Sequence, residues 1–299
     1  MGGGVGLDLS EQVTVVVASR DRRDDLARSL PRHEAPVVLV DNASSDGSGP
    51  WVRQHLPHVR VLSLPVNRGA VARSIGVARA TTPYVAFADD DSWWAPGALA
   101  RAVEVMDAHP RLAVLAARVL VGPQERLDGV CLQMRDSPLG TASDLPGPSV
   151  LGFLACAVVV RREAFEAAGG FDDVIFFCGE EERLALDLAA GGWGMAYVDD
   201  VVVHHHPSPS RDPQGRRLLG ARNRVLTAVL RRPWPVVWAS VRHCAGQGRL
   251  GRAALRQVVP RLPRALARRR VVPPDVEAAR LLLDSPAAAA PAQDVVTGA

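Results

Sequence analysis

The sequence predicts an α/β protein with a mostly parallel sheet covered by helices, followed by a C-terminal helical, arginine-rich appendage. Continuous β-branched runs at residues 13–18 and 37–40 are typical of strands that are buried on both faces. Segments with the apolar spacing of helices separate such runs, and this alternation favours a parallel sheet. Since 47% of the 299 residues are hydrophobic, the chain can bury a substantial core.

Each predicted element follows from a run of apolar residues and from the turn formers that end it. The predicted strands are residues 13–18, 37–40, 59–62, 84–88, 112–121, 155–161 and 196–203. The predicted helices are residues 24–30, 69–80, 98–106, 162–168 and 180–190. Residues 122–149 are rich in proline and glycine, so they predict an irregular loop over one face of a site.

Three adjacent aspartates, Asp89, Asp90 and Asp91, directly follow the predicted strand 84–88. A polar turn that caps the next helix would explain them, but a bound divalent cation would also offset the repulsion between their carboxylates. In parallel sheets, ligands bind at the carboxyl ends of the strands. The polar residues 19–21 and 41–46 follow two other predicted strands. This convergence favours a ligand site with a metal ion.

The charge of the chain is unevenly distributed. Residues 1–210 hold 18 Arg against 27 Asp and Glu, a net charge of −9, whereas residues 211–270 hold 16 Arg against Asp212 alone, a net charge of +15. This asymmetry suggests an anionic partner surface, either phospholipid headgroups or nucleic acid. Trp234 and Trp238 favour the lipid surface, and no nucleic-acid recognition module is apparent, so nucleic acid is the less favoured partner. Residues 218–230 are instead expected to pack on the body as helix.

The cysteine pattern and the first residues suggest a compartment. The 4 cysteines are far apart and form no CxxC pair, which fits a reducing cytoplasm. Residues 1–12 lack the features of a signal peptide, and no apolar run approaches the ~20 residues that span a bilayer. We therefore expect a cytoplasmic protein held on the inner membrane face. All 35 basic residues are arginine, which with the alanine and glycine content indicates a bacterial source.

Six separated segments carry motifs that occur together in one enzyme family. In chain order they are "VTVVVASRDRRDDLARSL", "VVLVDNASSDGS", "VNRGAVARSIGVARATTPYVAFADDD", "VVRREAFEAAGGFDD", "GEEERLALDLAAGGW" and "VVVHHH". They cover residues 12–210 and resemble family 2 glycosyltransferases, which have the GT-A fold. The resemblance implies a nucleotide-binding half at 12–121 and an acceptor and catalytic half at 122–210. A helical basic region at 211–284 and a disordered tail at 285–299 are expected to follow.

The resemblance implies an inverting transfer of a sugar from a UDP- or dTDP-sugar, with Mg²⁺ or Mn²⁺, to a hydroxyl of a glycan, a glycolipid or a small molecule. Such enzymes serve cell-envelope or glycan biosynthesis. Asp91 is the first choice of metal ligand, with Asp89 nearer the ribose or the metal and Asp90 in support. The family often has a metal-binding histidine after its last strand, where His204 is the closest match and His205 the next.

Glu180 and Glu181 match the acidic pair of the family, whose second member is the proposed catalytic base. Inversion requires that the acceptor hydroxyl lose its proton as it attacks, so a carboxylate must lie within hydrogen-bond reach. The family normally has Glu-Asp, and Glu181 is longer by one carbon–carbon bond, about 1.5 Å. The choice between Glu180 and Glu181 therefore stays open. The plainer alternative is that these acidic residues stabilise the first turn of a helix.

The nucleoside is expected to lie against residues from several predicted strand ends. Asp41 would accept the N3–H of uracil or thymine, unless it only forms an Asx turn. Arg73 matches a basic residue near the base or the phosphates, with a solvated helix arginine as the alternative. The other predicted nucleotide-sugar ligands are Ala18, Ser19, Arg20, Asn67, Gly69, Asp89 and Asp90.

Other functional classes fit the sequence less well. His204 and His206 alternate along a strand and could chelate zinc, but a motif such as HExxH is missing. The N-terminal glycines precede the first strand, so they cannot form a dinucleotide-binding loop. The chain has no lysine, which excludes a P-loop. The remaining alternative is a catalytically inactive family member that binds a nucleotide or a glycan.

Overall fold

One mixed sheet organises the fold. The computed structural model describes residues 8–208 and 212–284, and in them nine strands join into this sheet. The strands are β1 (Val13–Ser19), β2 (Val37–Asp41), β3 (Arg60–Ser63), β4 (Tyr84–Ala88), β5 (Ser92–Trp94), β6 (Leu112–Val121), β7 (Arg126–Leu127), β8 (Val158–Arg161) and β9 (Gly194–His205). Their order across the sheet is β3-β2-β1-β4-β8-β6-β9-β5, and β7 pairs with β6. The tail predicted at 285–299 lies outside the described residues.

Most strands run in the same direction. β1 pairs in parallel with β2 and β4, β2 with β3, and β6 with β9. The reversed strand β8 lies between β4 and β6, and the reversed strand β5 runs along β9. The predicted α/β fold with a mostly parallel sheet is confirmed. Because β1, β2 and β4 are parallel, the residues that follow them meet at one edge of the sheet.

Helices cover the sheet, and in the described part of the chain five further helices follow the last strand. They are α1 (Leu9–Gln12), α2 (Arg23–Ser29), α3 (Ser48–His55), α4 (Val71–Val77), α5 (Ala98–Ala108), α6 (Gly129–Arg135), α7 (Arg162–Ala167), α8 (Glu180–Ala190), α9 (Pro213–Arg231), α10 (Trp234–Gly246), α11 (Gly248–Val258), α12 (Leu262–Ala267) and α13 (Pro274–Asp284). Short 3₁₀ turns at Leu30–Arg32 and Val259–Arg261 join some of them.

A close approach between α4 and β1 sets the position of α4 over the sheet. Gly76 lies on the buried side of α4, and a Cβ there would come within 2.4 Å of a Val16 methyl carbon. The absence of a side chain lets the helix pack directly on the strand. Arg73 lies one turn earlier on the same helix and is buried, so this packing carries its guanidinium toward the end of β4.

The structure corrects several predicted elements. Residues 122–149 were predicted to be irregular, but they contain β7 and α6, which begins after Asp128, whose side chain accepts a hydrogen bond from Val130 N. Helix α3 and strand β5 were not predicted from the sequence either. Strand β8 begins at Val158 rather than at residue 155, and β9 continues through His205 instead of ending at residue 203. The elements that were not predicted are short. The ends of β8 and β9 differ from the prediction because tertiary contacts, and not the local sequence pattern, set where these strands begin and end.

The C-terminal helices have an apolar cluster of their own. Val225, Leu226 and Val229 of α9 are buried together with Ile175 from the segment before α8, and α10, α11 and α12 add apolar side chains to this cluster. The predicted packing of residues 218–230 agrees with this arrangement. Within residues 8–208 and 212–284, no helix combines the length and the apolar character needed to cross a membrane.

Part of the basic charge of this region is used inside the molecule. The Arg232 guanidinium pairs with Glu277 at 2.8 Å, and the Arg268 guanidinium pairs with Asp172 at 3.0 Å. Arg231 pairs with Asp187 of α8. Two of these contacts neutralise acidic side chains of the body and one neutralises Glu277 of the C-terminal helix α13, so the +15 charge of residues 211–270 is not all available to a partner.

Candidate active site

A cleft of about 420 Å³ opens at the edge of the sheet where β1, β2 and β4 end. Nine of the residues predicted to bind the nucleotide sugar or the metal line it: Ala18, Ser19, Arg20, Asn67, Gly69, Arg73, Asp89, Asp90 and Asp91. Eight further lining residues were not predicted: Arg22, Asn42, Phe176, Phe177, Asp212, Gly215, Arg216 and Leu219. The topology thus brings most of the predicted residues together.

The loops after β1 and β2 are tied to each other on one side of this cleft. Asp21 adopts a left-handed conformation (φ 55°), and its carboxylate accepts hydrogen bonds from the Ser45 backbone N–H at 2.6 Å and the Ser45 hydroxyl at 3.0 Å. The Asp21 N–H donates to Ser44 Oγ at 3.0 Å. These hydrogen bonds join the loop after β1 to the loop after β2 and limit the movement of one loop relative to the other.

The three aspartates have different partners. Asp89 forms a salt bridge with Arg73, while Asp90 Oδ2 accepts a hydrogen bond from Ser19 Oγ at 2.8 Å. Asp91 Oδ2 accepts from the Ser208 N–H at 3.1 Å. Burial, together with the charges of its two aspartate neighbours, raises the pKa of Asp90 to about 7. Hydrogen bonds and the Arg73 salt bridge thus offset part of the repulsion between the three carboxylates, and the raised pKa of Asp90 reflects the part that remains.

The residues around Asp91 fit a divalent cation that also binds a diphosphate. His205 Nε2 lies 3.3 Å from Asp91 Oδ1, so a carboxylate that lines the cleft has an imidazole beside it, although His205 itself is not a lining residue. No group of three or more His, Cys, Asp or Glu within residues 8–208 and 212–284 is arranged to hold a metal ion. Mg²⁺-type sites need only one or two protein carboxylates when substrate phosphates complete the coordination, whereas a structural zinc site needs four ligands.

His204 lies on the opposite face of β9 from this pair. Its ring stacks on Trp93 with centroids 5.6 Å apart, and its Nδ1 lies 3.2 Å from Glu125 Oε1. His206 also packs on Trp93, at 4.7 Å. Side chains alternate along a strand, so His205 and not His204 points toward the aspartates. The ranking of His204 above His205 is therefore corrected.

Arg73 lies between the aspartates and the glutamate pair. It is 6% exposed, and its guanidinium pairs with Asp89 through Nη2 and lies 3.6 Å from Glu180 Oε1 through Nη1. This arrangement disagrees with the alternative of a solvated helix arginine. A single buried cation thus links the aspartate cluster of the cleft to the acidic pair at the start of α8.

The two glutamates differ in exposure. Glu180 is 2% exposed, while Glu181 is partly exposed. Burial and the neighbouring Glu181 charge raise the pKa of Glu180 to about 8, although Arg73 opposes this shift. Burial also raises the pKa of Glu181. The pKa of each carboxyl therefore lies above its ordinary value. Neither glutamate is among the residues that line the cleft, and Glu181 has the more exposed side chain of the two.

Asp41 does not line the cleft. Its Oδ1 accepts a hydrogen bond from the Ser44 N–H at 3.0 Å, and its Oδ2 accepts from Ser63 Oγ at 3.1 Å. The Asx-turn alternative describes this geometry, and the neighbouring Asn42 faces the cleft instead. The expectation of a uracil or thymine base rested on Asp41 and loses its support with this correction.

Two groups of residues that line the cleft were not predicted, because they lie outside the six sequence segments that resemble the family. Phe176 and Phe177 precede α8, and Arg216 projects from the first turns of α9, where its guanidinium lies 5.5 Å from the centre of the Phe177 ring. The run "VIFF" at residues 174–177 contains only apolar side chains, so its sequence does not indicate contact with a ligand. The basic region at 211–284 was predicted to be an appendage to the catalytic domain, although residues of α9 line one wall of the cleft.

A family profile and two curated relatives connect this chain to glycosyltransferases. The profile of the family described as Glycosyl transferase family 2 matches residues 14–169. An N-acetylglucosaminyl-diphospho-decaprenol L-rhamnosyltransferase of Mycobacterium tuberculosis is 29% identical over 212 residues, 59% of this chain and 69% of the relative. A pre-mycofactocin glycosyltransferase of the same organism is 30% identical over 217 residues, 67% of this chain. The match spans only 44% of that longer relative.

Solved structures share the architecture. The mannosyltransferase PcManGT from Pyrobaculum calidifontis, in complex with GDP-Man and Mn²⁺, has a TM-score of 0.58 and 22% identity, over 94% of this chain and 81% of that one. S. aureus TarS in complex with UDP-GlcNAc has a TM-score of 0.52 and 12% identity, over 86% of this chain and 90% of that one. At these identities the likeness shows the fold alone, which is that of GT-A glycosyltransferases.

Proposed function

Because this chain belongs to glycosyl transferase family 2, we propose that it is a metal-dependent, inverting enzyme that moves a sugar from a nucleoside-diphosphate sugar to an acceptor hydroxyl. The observation that carries this proposal is the arrangement Asp89–Arg73–Glu180, in which one buried cation that lines the cleft joins Asp89 to Glu180, the first member of the acidic pair beside the cleft. The chain is a glycosyltransferase, and its mechanism, metal and donor are the proposed parts.

The aspartate side of the cleft would hold the donor. Asp91 and His205 would hold Mg²⁺ or Mn²⁺, which supplies Lewis-acid stabilisation of the departing diphosphate when it is bound. Arg20, Arg22 and Arg216 line the same cleft and offer further positive charge to phosphate oxygens. The solved relatives bind GDP-Man and UDP-GlcNAc, which is consistent with a nucleotide sugar here.

The glutamate pair, which Arg73 connects to the cleft, would deprotonate the acceptor. Inversion is a single displacement, so the attacking hydroxyl must pass its proton to a base on the side opposite the leaving group. We assign this role to Glu181, since it is more exposed than Glu180. Burial raises the pKa of Glu181, and a base whose pKa lies nearer neutrality accepts a proton more effectively at physiological pH.

We also propose that the enzyme meets a lipid-linked acceptor at an anionic membrane surface. The rhamnosyltransferase relative carries a diphospho-decaprenol acceptor in its name. On α10, the residues at positions 234, 238 and 242 follow one another by four and so share one face. Trp234 is 48% exposed and Trp238 is 60% exposed on this face, followed by the exposed Arg242. Exposed tryptophans beside arginines suit the headgroup layer.

A thermal-shift screen tests the proposed function. Purified protein is heated with UDP-, dTDP- and GDP-sugars, each with Mn²⁺ or with EDTA. A ligand that binds only the native state raises the melting temperature, so at least one nucleotide sugar should raise it, and more with Mn²⁺ than with EDTA. No shift with any nucleotide sugar under either condition would remove the donor proposal.

A further inference from the structure

The segment that leads into α8, residues 175–179, has an uncommon backbone conformation. Phe176 (φ 70°) and Cys178 (φ 67°) lie in the left-handed region, as does Gly179 (φ 89°). Residues other than glycine rarely adopt this conformation unless the surroundings hold them there. The segment is followed at once by Glu180, so its path decides where α8 begins and where the glutamate pair points.

Four successive carbonyl oxygens of this segment are held from outside. The Phe176 oxygen accepts from the Ala70 N–H at 2.6 Å. The Ile175 oxygen accepts from Arg222 Nη2 at 2.9 Å. Asn223 Nδ2 donates to the Phe177 and Cys178 oxygens, at 2.6 Å each.

Asn223 is the centre of this arrangement. It is 2% exposed, and its Oδ1 accepts from Arg222 Nε at 2.8 Å, which orients the amide so that both N–H groups face the segment. Two donors from one planar amide match two consecutive carbonyl groups, and a buried carbonyl without a donor is costly. Asn223 thus satisfies backbone groups that the left-handed turns expose.

We propose that Asn223 is a positioning residue for the transfer reaction, which fixes residues 175–179 so that Glu181 stands at the correct distance from the acceptor hydroxyl. The inference rests on the proposed function. It also extends the catalytic unit through α9, beyond the boundary at residue 210 that the sequence suggested. Asn223 acts through the segment and does not itself line the cleft.

Kinetics of two Asn223 variants test this role. Asn223→Ala removes both donors, and Asn223→Asp places a carboxylate oxygen against the two carbonyl groups. A misplacement of about 1 Å costs on the order of 10²-fold in rate, so kcat for release of nucleoside diphosphate from a nucleotide sugar with Mn²⁺ should fall by that order. The Kd for the nucleoside diphosphate should stay within about threefold, since a transition-state interaction is lost rather than uniform binding.

Thr227→Val is the matched control. Thr227 lies one turn further along α9, is 1% exposed, and its hydroxyl has no hydrogen-bond partner among the described residues. Its replacement should leave kcat unchanged. Hydrogen–deuterium exchange gives a second readout: exchange of peptides covering residues 175–181 should accelerate in Asn223→Ala and not in Thr227→Val.

Gly179→Ala decides the question if the Asn223 variants do not fold. A Cβ at Gly179 meets no atom closer than the Asn223 Cβ, at 4.0 Å, but the φ of 89° disfavours alanine. The variant therefore disturbs the segment without removing the Asn223 bonds, and the same selective loss of kcat supports the proposal. Wild-type kcat in a folded Asn223→Ala or in Gly179→Ala overturns it. A wild-type protein that releases no nucleoside diphosphate would instead overturn the proposed function itself.

Discussion

Arg73 Nη1 lies 3.6 Å from Glu180 Oε1, and both side chains are almost completely buried. The same guanidinium pairs with Asp89. The positive charge of this buried guanidinium favours the ionised form of both acidic groups, and a charged Glu180, which is the buried one of the two, would be costly without it. The aspartate cluster of the cleft and the glutamate pair beside it are therefore coupled through one residue.

Replacement of Arg73 should impair both the binding of nucleoside diphosphate and the turnover of the enzyme. Arg73→Gln leaves Asp89 and Glu180 without their shared cation, so we expect weaker nucleoside-diphosphate binding together with a loss of turnover on the order of 10²-fold or more. Arg79→Gln is the control, since Arg79 lies just after α4 and is exposed. Calorimetry and steady-state kinetics provide the two readouts. A variant with wild-type binding and turnover would contradict the coupling.

The metal assignment predicts a conditional loss of binding. Asp91→Ala removes the carboxylate next to His205, so nucleoside-diphosphate binding should weaken when Mn²⁺ is present and should change little in EDTA. Isothermal titration calorimetry with UDP, dTDP and GDP measures this difference. Asp200→Asn, at an exposed surface salt bridge with Arg101, is the control. Equal affinity of wild type and Asp91→Ala in Mn²⁺ would show that the metal lies elsewhere.

Stability should depend on pH through Glu180. Its pKa is raised from 4.5 to about 8 by burial, so between these values the folded state holds a proton that the unfolded chain has released. The free energy of unfolding contributed by this group therefore falls as pH rises through that interval, by at most about 1.4 kcal/mol per pH unit.

Glu180→Gln removes this titration and should flatten the dependence. Urea unfolding at several pH values between 5 and 8.5 measures the slope for both proteins, as a matched pair in the same buffers. Parallel slopes for wild type and variant would mean that Glu180 ionises normally in the folded protein.

Membrane contact should require both the tryptophans and the exposed arginines. In vesicle flotation, binding should need anionic lipid, fall as salt screens the charges, and decrease in a Trp234→Ser, Trp238→Ser double variant. Val66→Ser, at an exposed apolar residue of the body, is the control. Truncation of the C-terminal region is unsuitable, because its helices share an apolar cluster with Ile175. Equal binding of wild type to neutral vesicles, or none to either, would contradict the proposal.

The sequence predicted the strand ends better than the contacts between them. Apolar runs and the turn formers that follow them locate β1 and β4 within one residue, and parallel topology then brings Ser19 and Asp90 into hydrogen-bond contact. The direction in which an individual side chain points is harder to predict from the sequence. Asp41 turns back onto Ser44, and His205 replaces His204, because local hydrogen bonds and strand alternation decide which way each points.

The contribution of α9 could not be predicted from local pattern. Asn223 is one polar residue in a helix that is rich in arginine and apolar residues, and nothing in its neighbours marks it as buried. Its contacts are with residues 177 and 178, which lie 46 and 45 positions earlier in the chain. Such long-range pairs follow from the packed fold and not from periodicity.

Turnover by Glu181→Gln tests the central claim most directly. Release of nucleoside diphosphate from UDP-, dTDP- and GDP-sugars is measured with Mn²⁺ for wild type, Glu181→Gln and Glu180→Gln, each with a parallel calorimetric titration of the nucleoside diphosphate. We predict that wild type turns over at least one donor, that Glu181→Gln loses roughly 10²–10⁴-fold in turnover, and that Glu180→Gln loses less. Nucleoside-diphosphate affinity should be retained in both variants. Wild-type turnover in both variants would remove the glutamate pair from catalysis and contradict the proposed mechanism.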